Sequence, residues 1–139
     1  MTAAVSLRSP GSFSFTVPGA PVPCARARVY QDKRTGKTRA VTPSKTRSYE
    51  AKVAMMCRFA ANLSQWDATG PSEYQVSIEV YRAKRLGDWD NYAKAVTDGM
   101  KGIAWEDDRQ VTRAEVVMYV DRANPRVEVM VWRRAAVAA

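Results

Sequence analysis

The sequence predicts an α+β fold, a single domain in which a small mixed β-sheet of about four to five strands packs against two helices. Three observations lead there. With 139 residues, 46% of them hydrophobic, the chain can fill one core but not two. Apolar and polar residues alternate in several short runs bounded by Gly and Pro. Two other stretches repeat apolar residues at helical spacing. The domain is expected over residues 12–132, between a flexible N-terminus (1–11) and a flexible tail (133–139).

Phe13, Phe15 and Val17 alternate with small polar residues, which marks Ser12 to Val17 as a half-buried strand ended by Pro18-Gly19. Pro18, Pro21 and Pro23 then hold the chain extended. Arg28 to Val41 suits a hairpin turning around Thr35-Gly36. A helix is expected from Pro43 or Ser44 to Leu63, capped by Thr42 or Ser44, with Pro43 tolerated in its first turn. Its apolar stripe runs through Tyr49, Val53, Met56, Ala60 and Leu63, widened by Met55 and Phe59, whose surplus could serve a subunit contact. After the Gly70-Pro71 break, Tyr74, Val76, Ile78 and Val80 alternate as a strand to Tyr81. A short helix from Asn91 to Lys101 is expected with Asp90 as its cap, although Gly99 lowers helix propensity by about 1 kcal/mol relative to alanine. Val111 to Val120 and Val127 to Trp132 complete the set, as a hairpin around Asn124-Pro125.

The net charge is +8, and between Arg26 and Lys52 nine lysines and arginines face only Asp32 and Glu50. A block this basic is expected to bind a polyanion, nucleic acid before membrane, through Arg26, Arg28, Lys33, Arg34, Lys37, Arg39, Lys45 and Arg47. The chain has no histidine, so the usual general base, the commonest zinc nitrogen ligand and the centre of a Ser-His-Asp triad are all missing. Hydrolysis would have to rest on carboxylates, lysine or a cation with oxygen ligands, magnesium or manganese first. Cys24 and Cys57 fall in different predicted elements and are expected as free thiols. No run approaches the roughly 20 apolar residues of a membrane span, and a cytoplasmic location is expected.

Six of the fourteen acids, Asp88, Asp90, Asp98, Glu106, Asp107 and Asp108, fall between Gly87 and Val111. Like charges so crowded repel unless a cation sits among them. Asp88 and Asp90, two residues apart, can share such a cation if the backbone is extended. Asn91 begins the helix, and Lys94 lies four residues after Asp90 and four before Asp98, on one helical face. Each part also has a plain structural role: Asp90 as an N-cap, Lys94 with Asp98 as an ion pair, Asp107 and Asp108 as turn residues, Trp89 as packing. Together, in a basic chain without histidine, they suit phosphodiester hydrolysis.

The run Asp88-Trp-Asp90-Asn91-Tyr-Ala-Lys94, then Asp98, then Trp105-Glu-Asp107-Asp108-Arg-Gln110-Val111, resembles the signature of the RusA-type Holliday junction resolvases. The proline-rich Pro21-Val-Pro23-Cys-Ala-Arg26-Ala-Arg28 resembles that family's early segment more weakly, and both tails lie outside the likeness. The resemblance implies a homodimeric, Mg²⁺-dependent endonuclease of bacterial or prophage origin that nicks four-way DNA junctions symmetrically, with Mn²⁺ as a substitute metal. It implies that Asp88, Asp90 and Asp108 bind the metal and that Lys94 is the catalytic lysine, with Asn91, Asp98 and Asp107 in support. A non-catalytic module for branched or single-stranded nucleic acid would explain the charge but not the acid spacing. A Mg²⁺-dependent phosphatase would explain the acids but not the basic block.

Overall fold

The structure, a computed structural model, describes residues 11–25, 28–41 and 43–134, with the backbone only at 28, 40 and 41. Of the expected flexible ends, 1–11 and 133–139, residues 1–10 and 135–139 lie outside the described residues, as do Arg26 and Thr42, whereas Arg133 and Arg134 belong to the last strand.

The chain order is β1 (Ser12–Pro18), β2 (Arg28–Gln31), β3 (Thr38–Val41), α1 (Ser44–Leu63), β4 (Glu73–Arg82), α2 (Trp89–Met100), a 3-10 turn (Asp108–Gln110), β5 (Val111–Val120) and β6 (Arg126–Arg134). The main sheet is four-stranded and mixed, in the order β1-β6-β4-β5, and β2 with β3 forms a separate two-stranded ribbon. This is the expected α+β domain. Strict alternation along β1 and β4 buries Phe13, Phe15, Val17, Tyr74, Val76, Ile78 and Val80. Val127, Val129 and Val131 of β6 join them, and the helices add Tyr49, Val53, Ala95, Val96 and Met100 among others. Among the described residues, no helix is long and apolar enough to cross a membrane.

β5 and β6 do not pair as a hairpin. β4 lies between them, parallel to β5 and antiparallel to β6, so that Gln75 faces Arg113 on one side and Trp132 on the other. Asn124-Pro125 does mark a reversal, but the link from Asp121 to Pro125 steps across the end of β4, where the Asp121 N–H donates to the Arg82 carbonyl at 2.7 Å. Turn chemistry reports a change of direction, not which strand becomes the neighbour. β6 also runs two residues past Trp132, to Arg134.

α1 spans Ser44–Leu63 as expected, but both helix caps, and the start of α2, differ from expectation. Pro43 occupies the N-cap position of α1 without a side-chain cap, and Ser44 is already helical. Asp88, extended at φ −95° and ψ 145°, occupies that position in α2, so Asp90 lies in the first turn. The buried face of α1 is Thr46, Tyr49, Val53, Cys57 and Ala61, rotated from the expected stripe, while Met55, Phe59 and Leu63 are exposed.

Gly99 fits the contact between the helices. A Cβ there would stand 2.8 Å from the Glu50 carbonyl oxygen and 2.8 Å from Val53 Cβ, so only glycine lets α2 approach α1 this closely. Gly99→Ala is expected to destabilise the domain by about 1–3 kcal/mol in urea denaturation despite its better helix propensity, since overpacking outweighs that gain. A higher unfolding midpoint would show that the helices can part without cost.

Candidate active site

The acidic segment is the crossover between two parallel strands. Parallel neighbours cannot be joined by a tight turn, so the chain leaves the C-terminal end of β4, returns along α2 and enters β5 beside the start of β4. Three local structures present its side chains.

The first is the turn before α2. Arg82, almost fully buried, donates from Nη1 to the carbonyls of Leu86 (3.1 Å) and Gly87 (3.4 Å), and the Tyr92 hydroxyl donates to Leu86 as well, at 2.9 Å. Gly87 has φ +83°, and a Cβ there would fall 2.7 Å from the Tyr92 ring. Asp88 and Asp90 follow, both exposed. The Asp90 carboxylate accepts from the Asn91 N–H at 3.0 Å, and Asp88 offers a carboxylate with no hydrogen bond or ion pair to the described residues. Two open, oxygen-only donors at a helix start suit a hard divalent cation that keeps most of its waters.

The second is the outer face of α2. Lys94 Nζ meets Asp98 Oδ2 at 3.2 Å, the expected pair one helical turn apart. Behind it, Cys24 Sγ and carboxylate oxygens of Glu50 and Asp98 lie within 4.8 Å of one another. The hydrogen bond that Lys94 donates to Asp98, and then the charge of Asp98, raise the Lys94 pKa. Burial first, and the charge of Asp98 second, push the Glu50 carboxyl above its ordinary value. Burial likewise raises the Cys24 thiol, against the pull of Lys94, and pushes the Cys57 thiol up to about 12.

The third is the entry to β5. Asp107 caps the 3-10 turn by accepting from the Arg109 N–H at 2.9 Å, and its ion pair with the Arg109 guanidinium takes its carboxyl down to about 2. The Gln110 side chain accepts from the N–H groups of Glu106 (3.1 Å) and Asp107 (3.0 Å) and donates to the carbonyls of Gly70 and Ser72, each at 3.0 Å. The turn is thereby tied to the approach to β4. Asp108 accepts from the indole N–H of buried Trp105 at 2.9 Å, and Lys101 stands 3.9 Å from its other oxygen.

These structures do not bring Asp88, Asp90 and Asp108 together within one chain. α2 is 12 residues long, about 17 Å, with Asp88 and Asp90 at its start and Asp108 beside Lys101 at its end. The one group of three metal-type ligands within 4.8 Å among the described residues is Cys24, Glu50 and Asp98.

The basic block reaches this helix through the backbone. The Cys24 N–H donates to the Asn91 carbonyl at 2.8 Å, and the Ala25 N–H to the Thr46 hydroxyl at 3.3 Å, so the segment entering β2 crosses α2 and the start of α1. Lys33, Arg34, Lys37 and Arg39 are exposed on the ribbon, and Lys45 and Arg47 on the first turn of α1. The ribbon turns as expected, with Gly36 at φ +71°. Arg26 lies outside the described residues, as does the side chain of Arg28.

Residues 18–132 match the family described as endodeoxyribonuclease RusA. The chain belongs to the RusA family. A relative in Bacillus subtilis (strain 168), YqaN, described as an uncharacterized protein, is 28% identical over 137 residues, covering 84% of this chain and 93% of its own. The match takes in all three local structures of the crossover, and RusA membership supports nuclease activity for the chain.

Glu50 and Cys24 escaped the sequence reading because nothing in their spacing links them to Asp98; the packing of α1 on α2 around Gly99 and the Cys24–Asn91 backbone bond bring them there. Lys84 and Arg85, exposed just before Asp88, could have been found as cations flanking the acidic motif. Trp89 is not the packing residue expected of it, being 60% exposed.

A carboxyl whose folded pKa is raised stabilises the folded state in its protonated form, and its ionisation costs stability as pH rises above the ordinary carboxylate value. Glu50→Gln is therefore expected to be more stable than wild type at neutral pH, with the difference vanishing below about pH 4. Thermal melts across that range check it; a variant less stable at pH 7 would mean that Glu50 acts mainly by attracting Lys94.

Proposed function

We propose that the protein is a homodimeric, Mg²⁺-dependent endonuclease that resolves four-way DNA junctions by paired, symmetric nicks. RusA family membership supports the nuclease class. The observation that carries the finer reading is the Cys24–Asn91 hydrogen bond, which lays the entry to the basic ribbon across the helix bearing Asp88, Asp90 and Lys94. A polyanion held by the ribbon would then pass the open carboxylates.

Asp88 and Asp90 would hold the cation, and the same oxygen donors accept Mn²⁺. When bound, Mg²⁺ supplies the charge that acidifies a water and offsets the charge developing on the phosphate. Lys94, kept protonated by Asp98, neutralises a non-bridging phosphate oxygen, and Asp98 with Glu50 limits where its ammonium can go. Trp105 orients the Asp108 carboxylate.

Because Asp108 lies at the opposite end of α2, the three acids share one cation only if Asp108 comes from a second copy. An antiparallel approach of two α2 helices across a two-fold axis brings each Asp88–Asp90 pair to the other chain's Asp108 and makes two equivalent sites, matching the symmetry of the substrate.

Asp90→Asn and Asp108→Asn are each expected to lower junction nicking by orders of magnitude while retaining junction binding. Mixed and allowed to exchange subunits, the two variants should regain nicking of one strand, because the heterodimer holds one intact shared site. Wild-type nicking by Asp90→Asn would remove the cation assignment, and no recovery on mixing would place each site within one chain.

The ribbon is expected to bind phosphates more than bases. Neutralising Lys37 or Arg39 should flatten the logarithmic salt dependence of junction binding by about one unit for each phosphate left without its cation. Affinity unchanged between low and physiological salt would defeat this role.

A further inference from the structure

Between the basic end of β4 and the start of α2 stand two large apolar side chains that the core does not use. Leu86 is 65% exposed and Trp89 60% exposed, on a turn whose sequence passes from cations (Lys84, Arg85) to these residues and to the acids Asp88 and Asp90. The turn is braced. Arg82 and Tyr92 both donate to the Leu86 carbonyl, the Leu86 N–H donates to the Lys84 carbonyl at 2.9 Å, and Gly87 packs against the Tyr92 ring where no side chain would fit. Exposed apolar groups on such a backbone are held out in a set direction, at little entropic cost on binding.

We propose that Leu86 and Trp89 form an apolar wedge that stacks on a nucleobase face laid open at the branch point of a DNA junction, with Lys84 and Arg85 taking the neighbouring phosphates. The inference rests on the junction-cleaving reading and adds to it the residues that recognise the branch. Trp89 stands in sequence between Asp88 and Asp90, so a strand placed for cutting at those acids passes within reach of the indole. An indole stacks on any base. Within a continuous duplex each base face is covered by its neighbour; where strands part, it is not. A wedge at the cutting end therefore favours branched over linear DNA without reading sequence, and the two cations beside it answer the charge of the adjoining backbone.

The experiment uses the full chain without divalent metal, four-way junctions carrying 2-aminopurine at the branch point or within an arm, and the matching linear duplex. Trp89→Ala is expected to reduce the junction-to-duplex affinity ratio about tenfold, to leave the salt dependence unchanged, and to abolish the wild-type fluorescence change of the branch-point probe alone. Trp89→Phe should keep most of both effects, and Leu86→Ala should lose part of them. An unchanged ratio and probe signal in Trp89→Ala, or equal losses on junction and duplex, would overturn the wedge. So would complete protection of Trp89 from acrylamide in the DNA-free dimer, which would show the second copy seated on the indole rather than beside it. Failure of wild type itself to prefer junctions would instead sink the underlying reading, whereas wild-type preference with an indifferent Trp89→Ala sinks only the wedge.

Discussion

The parallel pairing of β4 with β5 is the constraint on which the rest of the molecule depends. It forces a crossover, the crossover is α2, and a helix returning along a sheet has to carry its first residues to one end and its last residues to the other. That direction separates Asp88 and Asp90 from Asp108. It also leaves the other edge of β4 free for β6, so the central strand is paired on both sides and its five inward residues are buried. The acidic segment is thus built into the fold, running from the end of the central strand to the start of its parallel neighbour.

The contact between α1 and α2 has a different consequence. Closing the helices around Gly99 brings Glu50 to Asp98, which already pairs with Lys94 one turn back along α2, at the cost of placing two carboxylates near each other. The positive charge of Lys94 and the partial exposure of the group limit that cost, and the protonated lysine gains from it. The helix contact at Gly99 thus sets the surroundings of Glu50, while Asp98 on the same helix sets those of Lys94.

The signature residues around β5 divide between support and chemistry. Asp107 and Gln110 are occupied by the turn, one as its cap and the other as a tie to Gly70 and Ser72. Asp108 points to Trp105 and Lys101 and retains an exposed carboxylate. Two adjacent aspartates thus differ in availability because one is engaged by backbone N–H groups and an arginine, which hold its pKa low.

Much of this was legible in the sequence, because alternation and helical spacing are local properties of the chain. β1, β4, α1 and the ribbon follow from runs of a few residues whose burial period is set by their own backbone, and the Lys94–Asp98 pair follows from helical geometry alone. The crowding of six acids in a basic chain likewise singled out the proposed site before any fold was known. What the sequence could not contain was which strand lies beside which, since Asn124-Pro125 has the same turn chemistry whether β6 returns next to β5 or beyond β4. The exposed face of α1, the partnership of Glu50 with Asp98 and the projection of Trp89 were equally out of reach. Each is decided by contacts between segments far apart in the chain, where the winning arrangement is the one that buries the most apolar surface rather than the one any short segment prefers.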